Sequence, residues 1–588
     1  MNVDASASRT ATQTETETTD RPQTQARVMN LAQLLAQTAR RHPDAPGVIE
    51  AGRHWSWAEI DQRVNAMVSA LRGLGVQKGE RILVQSRNRL ALFESCWVAF
   101  RLGCVWVPTN YRLTPPEVAY LGAASGATVM LAEPDFGAHV DAVRAASPAL
   151  RQVIWIDAPR SAGAGGLGGV GESATGFDYE TLLREHLHDD PHQSQEAQVD
   201  RDDPLWFFYT SGTTGRPKAA ILTHAQMAFV VTNHLADLIP GTTHADCSIA
   251  VAPLSHGAGI HALLNVARGA ATVLPAGDKL DPETVWRLIE AHRVTNLFTV
   301  PTIVKMLVEH PAVDHYDHSS LRYVIYAGAP MYRAHQLLAL RKLGKVLVQY
   351  FGLGEVTGCI TVLPTSLHAL EDEAGKEGEG GEGGAACDRD ARAARAAIGS
   401  CGYPRTGMQV AILDAAGVAV PTGAIGEICC RGPAVFAGYH ANPSATAQAL
   451  RGGWFHTGDL GRLDARGLLF ITGRESDMYI SGGSNVYPRE VEEVLLTHAG
   501  VAEVAVLGVA DAKWGEIGIA VVVRRAGAAP FDAADLLRHL DGRSARYRWP
   551  SQIFFWDALP KSAYGKITKK DILSQLVERG EVTVATPH

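Results

Sequence analysis

Hydrophobic positions along the first part of the chain follow two alternating rhythms. Residues 31–42 (LAQLLAQTARRH) and 57–75 (WAEIDQRVNAMVSALRGLG) space their apolar side chains as one helix face does, whereas 81–86 (RILVQS) and 104–109 (CVWVPT) are short β-branched runs of strand character. This alternation, from Met29 to about Trp155, predicts α/β layers around a largely parallel sheet. Strand-like runs at 408–414, 426–432 and 467–473 predict a small β-rich subdomain over 398–472. A new pattern starts at Gly473: a helix at 488–498, strands at 501–509 and 517–525, a helix at 533–542 and a last one after Lys566. That is a compact α+β domain. The expected division is therefore a tail at 1–28, a large N-terminal domain of α/β subdomains plus a β-rich subdomain at 29–472, and a small C-terminal domain at 473–588.

Three stretches lack either rhythm. The Thr-, Ser- and Gln-rich start has no apolar core of a secretory signal and reads as a disordered tail. Residues 159–177 contain a formal G-x-G-x-x-G (Gly163, Gly165, Gly168), but no helix pattern opens on the glycines, so a flexible loop is the better reading. Residues 370–397 mix glycine with clustered charge and read as a disordered insertion.

Composition narrows the classes. With 588 residues, 46% hydrophobic and 20% charged, the chain has material for several cores. A net charge of −8 gives no general reason to bind nucleic acid or an anionic membrane. No apolar run is long enough to predict a transmembrane segment. The eight cysteines show neither a C-x-x-C pair nor zinc-like spacing, which fits reduced thiols in a cytoplasmic protein.

The densest chemical signal is YTSGTTGRPKAAILTH at 209–224. Thr210, Ser211, Gly212, Thr213, Thr214 and Gly215 form a loop whose hydroxyls and backbone N–H groups can surround a polyphosphate, with Lys218 supplying positive charge. It is not a Walker A loop, and a plain Ser/Thr/Gly turn is the bland alternative. Further along stand YAGAP (326–330), QYFGLGE (349–355), HTGD ending at Asp459, GRESDMYISGGSNVYPREVE from Gly473, and LPKSAYGK ending at Lys566. Taken in order, these motifs resemble the adenylate-forming superfamily of acyl-CoA synthetases, aryl-CoA ligases, luciferases and peptide-synthetase adenylation domains, over 29–588.

The resemblance implies ATP, Mg²⁺ and coenzyme A as cofactors and a small-molecule carboxylic acid as substrate. By it, Gly328, Ala329 and Pro330 and the segment Gln349, Tyr350, Phe351 and Gly352 belong to the nucleotide site. Asp459 and Arg474 would contact the ribose, and Glu355 would hold Mg²⁺, a hard cation that prefers oxygen. Lys566 would be the catalytic lysine of adenylation, with Lys218 acting on the departing pyrophosphate. Ser481, Gly482 and Gly483 would lie along the coenzyme A path, and Ser476 would be the hinge of a mobile C-terminal domain. For each charged residue an ordinary surface ion pair is the plain alternative.

Two departures from the family pattern stand out. Phe351 replaces a usual Tyr and Gly354 a usual Thr, so a hydroxyl expected at the α-phosphate is missing. A threonine restored at 354 would either regain that hydrogen bond or crowd the phosphate. Ser476 occupies the position of a usual Lys or Asp hinge. The segment APLSHGAGIH places His256 and Gly257 in the acid pocket, where an amino-acid activator would carry an Asp. His256 and His261 have no companion ligands in sequence, so a metal there is not favoured. Gly257, Ala258 and Gly259 suggest a roomy pocket. The expected activity is an acid:CoA ligase. A carrier-protein acceptor and a weakened nucleotide-binding homologue are the alternatives, and a homodimer is left open.

Overall fold

The computed structural model describes residues 28–157, 176–189, 195–210, 216–277, 279–329, 331–370, 392–511, 513–562 and 566–582. The G-x-G-x-x-G stretch, the loop residues Ser211 to Gly215, Pro330 and most of the glycine-rich insertion lie outside them.

Two large sheets organise the N-terminal domain. In the first, of seven strands, Phe177–Asp178, Gln152–Trp155, Val129–Ala132, Arg81–Gln85, Val105–Thr109 and Pro204–Thr210 run parallel, and Lys218–Thr223 closes the edge antiparallel. The second, of nine strands, has a parallel centre made of Leu347–Phe351, Tyr323–Tyr326, Asn296–Thr299, Cys247–Ile249, Ala271–Leu274 and Pro46–Glu50. Antiparallel strands flank it at both ends.

Period-two alternation shows how the sheets share a core. Ile82 and Val84 join one large hydrophobic cluster while Leu83 between them joins another; Phe298 and Val348 join that same large cluster, with Leu297 and Leu347 on the opposite face. Helices buried between the sheets fill the shared cluster. Leu90–Leu102 is buried along its whole length, and Gly257–Arg268 nearly so. Within the first of these, Glu94 is tolerated because Arg63 and Tyr179 donate to its carboxylate.

A four-stranded antiparallel sheet follows: Gln409–Leu413, Gly426–Arg431, Phe455–Leu463 and Leu469–Arg474. It is the expected β-rich subdomain. The insertion reading reaches too far, however. Residues 392–396 are helical, Ala397 is fully buried against Leu363 and Leu468, and Leu370 packs on the second sheet's outer cluster. Apolar alanines within a charged, glycine-rich context had hidden that packing.

The C-terminal domain follows the small sheet. The last strand of the small sheet ends at Arg474, and the next sheet begins at Tyr479. Its long hairpin, Val501–Asp511 with Gly515–Arg524, pairs with Gln552–Trp556 and packs under the helices Pro488–Leu495 and Ala533–Leu540. This domain is docked on the large one. Tyr332 donates to Glu492, the Arg333 N–H donates to Glu493, and Arg525 pairs with Glu309.

Candidate active site

Thr210 and Lys218, at the two ends of the phosphate-loop sequence, are cross-strand partners in a hairpin. This places both residues beside Glu355, which sits in a short 3₁₀ turn after the strand Leu347–Phe351. The Thr210 hydroxyl donates to Glu355 Oε1 at 2.8 Å, and the Tyr439 hydroxyl donates to the same oxygen at 2.9 Å. Glu355 is 4% exposed, and its Oε2 has no hydrogen-bond partner among the described residues. A buried anionic oxygen left over in this way suits a hard cation. Lys218 Nζ lies 5.3 Å from the centre of the Tyr439 ring, so cation, phenol and carboxylate form one chain. Tyr439 was not legible as a site residue: it lies 84 positions from Glu355, and no local spacing connects them.

On the facing side, Asp459 and Arg474 are opposite each other in neighbouring strands, and Arg474 Nε donates to Asp459 at 3.1 Å. The Asp459 backbone N–H is held by Thr457, and Thr457 in turn donates to the Ile428 carbonyl. Among the described residues the one grouping with metal-like spacing is Glu427, Cys429 and His456 in these strands. Glu427 is already engaged by Arg451, His456 and the Gly458 N–H, so it braces the strand that carries Asp459.

Lys566 comes from the other domain. Its Cε lies 3.6 Å from where a Cβ would stand on Gly328, a glycine with φ +81°. Burial, then the charge of Arg474, pushes the Lys566 ammonium down to about 8, while Asp459 and Glu355 pull it upward. All four charged groups therefore share one cleft. His256 stands at the start of the helix Gly257–Arg268, its ring edge-on to Phe208 at 4.4 Å. Burial and the nearby Lys566 charge lower it to about 3, which keeps it neutral.

Three expectations change. Gly354 is dictated by packing: a Cβ there would fall 2.6 Å from Phe208 Cδ1 and 2.8 Å from Thr210 Cγ2. Gly257 and Gly259 do not open a pocket, because Phe298 and the Leu254 carbonyl fill the space that side chains would take. Tyr350 points away from Gln349 and Phe351, as alternation in a strand requires, and stacks with Phe298 and His261. Gln349 accepts from Tyr326 and donates to Cys401, Phe351 packs between two clusters, and Gly352 lies against Gly358. Ala329 is half-buried beside Gly328. Ser481, Gly482 and Gly483 form a hairpin turn, with Gly482 against the half-exposed Trp514, and Ser476 is exposed in the joint between the domains.

Known proteins match the chain over both of its domains. The model for AMP-binding enzymes matches residues 35–440, and that for the AMP-binding enzyme C-terminal domain matches 490–566. A feruloyl-CoA synthase of Amycolatopsis sp. is 34% identical, the match covering 91% of this chain and 96% of that protein. An indoleacetate–CoA ligase of Aromatoleum aromaticum is 32% identical over 94% of this chain and 99% of its own. Among solved structures, ATP-bound MatB from Rhodopseudomonas palustris superposes with a TM-score of 0.76 at 26% identity, covering 93% of this chain and 99% of that one. With two matched domains, a shared two-domain fold and a cleft where both domains place charge, the chain belongs to the AMP-binding, adenylate-forming enzyme family, in its acyl-CoA synthetase branch.

Proposed function

We propose that this protein is an ATP-dependent carboxylic acid:CoA ligase. A carboxylate oxygen attacks the α-phosphorus of ATP, the bond to the bridging oxygen breaks, and pyrophosphate leaves an acyl-adenylate. The sulfur of coenzyme A then attacks the acyl carbon, AMP departs with the former carboxylate oxygen, and the thiol proton is released. The observation that carries this reading is the convergence of Lys566 from one domain with Asp459, Arg474 and Glu355 from the other. Lys566 offers a point charge where negative charge grows on the α-phosphate, and Lys218 offers one to the leaving pyrophosphate. Asp459 accepts from the ribose hydroxyls, with Arg474 fixing its orientation. Glu355 fits Mg²⁺ through its unpartnered oxygen; the ion would supply charge neutralisation to the phosphates.

The exposed joint around Ser476 lets the small domain turn between half-reactions and bring Ser481–Gly483 to the cleft for the thiol. Feruloyl- and indoleacetyl-activating relatives, together with the Phe298 and Tyr350 rings, favour an aromatic acid. No described helix is long and apolar enough to cross a membrane. The seven described cysteines are free and buried, which supports a cytoplasmic setting. Acid-dependent exchange of pyrophosphate into ATP, followed by detection of AMP and a CoA thioester, tests the reading. Exchange without CoA turnover would reassign the acceptor to a carrier protein, and no exchange with any acid would overturn the activity.

A further inference from the structure

Behind His256, the helix Gly257–Arg268 leads away from the reaction centre and carries His261 about 7.5 Å further along its axis. His261 is 5% exposed, and neither of its ring nitrogens has a hydrogen-bond partner among the described residues. Its ring lies flat against Phe298, with centroids 4.4 Å apart and 9° between planes, and Tyr350 stacks on the same group at 5.8 Å. His234, fully buried, stands 5.3 Å away. Arg405 and Cys359 approach His234 Nδ1 at 3.4 and 3.6 Å, and His234 Nε2 has no hydrogen-bond partner among the described residues.

A polar ring buried without partners costs on the order of 1–3 kcal/mol for each unsatisfied group and calls for a reason. Burial, then the Arg405 charge, pushes His261 down to about 3, so protonation gives no relief at neutral pH. Beside His261 and Phe298 is a small cavity of about 10 Å³, lined also by Leu254, Ala258 and Thr272, which is room for one hydroxyl. A neutral imidazole offers one donor and one acceptor, and so does a hydroxyl.

We infer that the inner end of the acid pocket is a hydroxyl-reading subsite, in which His261, supported by His234, exchanges hydrogen bonds with a hydroxyl on the ring of an aromatic acid. The aromatic wall of Phe298 and Tyr350 takes the ring face. This rests on the acid:CoA ligase reading and adds a substrate class to it.

Matched acids with and without the ring hydroxyl, 4-hydroxycinnamate against cinnamate and 4-hydroxybenzoate against benzoate, test it through acid-dependent pyrophosphate release. The wild type should favour a hydroxylated member by at least ~10-fold in kcat/KM, because the unhydroxylated acid leaves the imidazoles unsatisfied. His261→Phe keeps the stacking and removes both nitrogens. It should bring the ratio to within about twofold by losing the hydroxy acid while retaining or gaining the other. His261→Asn, which keeps a donor and an acceptor, should preserve part of the preference. A wild-type ratio near one for both pairs, or a preference undiminished in His261→Phe, overturns the subsite. The wild-type comparison decides even if a variant fails to fold. Absence of pyrophosphate release with every acid would instead overturn the ligase reading.

Discussion

Restoring the family threonine at position 354 is expected to damage the enzyme. The new Cβ would lie 2.6 and 2.7 Å from two carbons of the Phe208 ring and 2.8 Å from Thr210 Cγ2, where carbon atoms normally rest about 3.5–4.0 Å apart. Phe208 cannot yield easily, being 3% exposed and held against Trp206 and His256. Displacing Thr210 strains its hydrogen bond to Glu355. Overpacking alone costs about 1–3 kcal/mol, and loss of a hydrogen bond to a charged group about 1.5–3 kcal/mol. If about 2 kcal/mol of this reaches the transition state, Gly354→Thr lowers kcat/KM for ATP about 30-fold. Pyrophosphate release at saturating acid measures it, with a melting curve to separate inactivity from unfolding. Phe208→Val should make room, so the double variant should recover activity beyond the sum of the single effects. A Gly354→Thr enzyme as active as wild type, or a double variant with no coupling, would refute the packing argument.

Lys566 loses its proton in the free enzyme near pH 8, so kcat/KM for ATP should fall above that pH; Lys566→Arg, charged throughout, should move the limb to higher pH, and an unmoved limb assigns it elsewhere. Because this ammonium lies below its unfolded value of about 10.4, the fold bears the full cost of the charge below about pH 8. Stability from this group therefore rises with pH between those values, a rise that denaturant midpoints should lose in Lys566→Ala. Replacing residues 371–391 with a short Gly-Ser linker should leave activity and Tm near wild type, whereas extending the cut through Ala397 should lower Tm by exposing Leu363 and Leu468. Equal Tm values for the two deletions would show that Ala397 contributes nothing.

Much of the architecture was legible because periodicity survives in a single sequence. The alternation of helix and strand rhythms predicted the layered α/β domain, and the change at Gly473 anticipated a second domain whose sheet starts at Tyr479. Asp459, Arg474, Glu355 and Lys566 were marked in sequence only through the motifs that carry the family resemblance, since by residue type alone each reads as an ordinary surface charge. What stayed hidden depends on three-dimensional closeness between distant residues. Gly354 looked like a missing hydroxyl until Phe208 was seen against it. Gly257 looked like open space although Phe298, from another strand, occupies it. Tyr350 was grouped with Gln349 by adjacency, although neighbouring residues in a strand face opposite sides. Tyr439, His234 and Arg405 gave no local signal at all.

The central claim is that Lys566, under the charges of Asp459 and Glu355, serves adenylation alone. It is tested by the two half-reactions of Lys566→Ala measured separately: formation of acyl-AMP from acid and MgATP, and conversion of supplied acyl-AMP and CoA to the thioester. Removing a charge needed only where the phosphate becomes more negative should reduce the first by about 100-fold or more and leave the second near wild type. Equal loss in both half-reactions, or retention of both, would contradict the account.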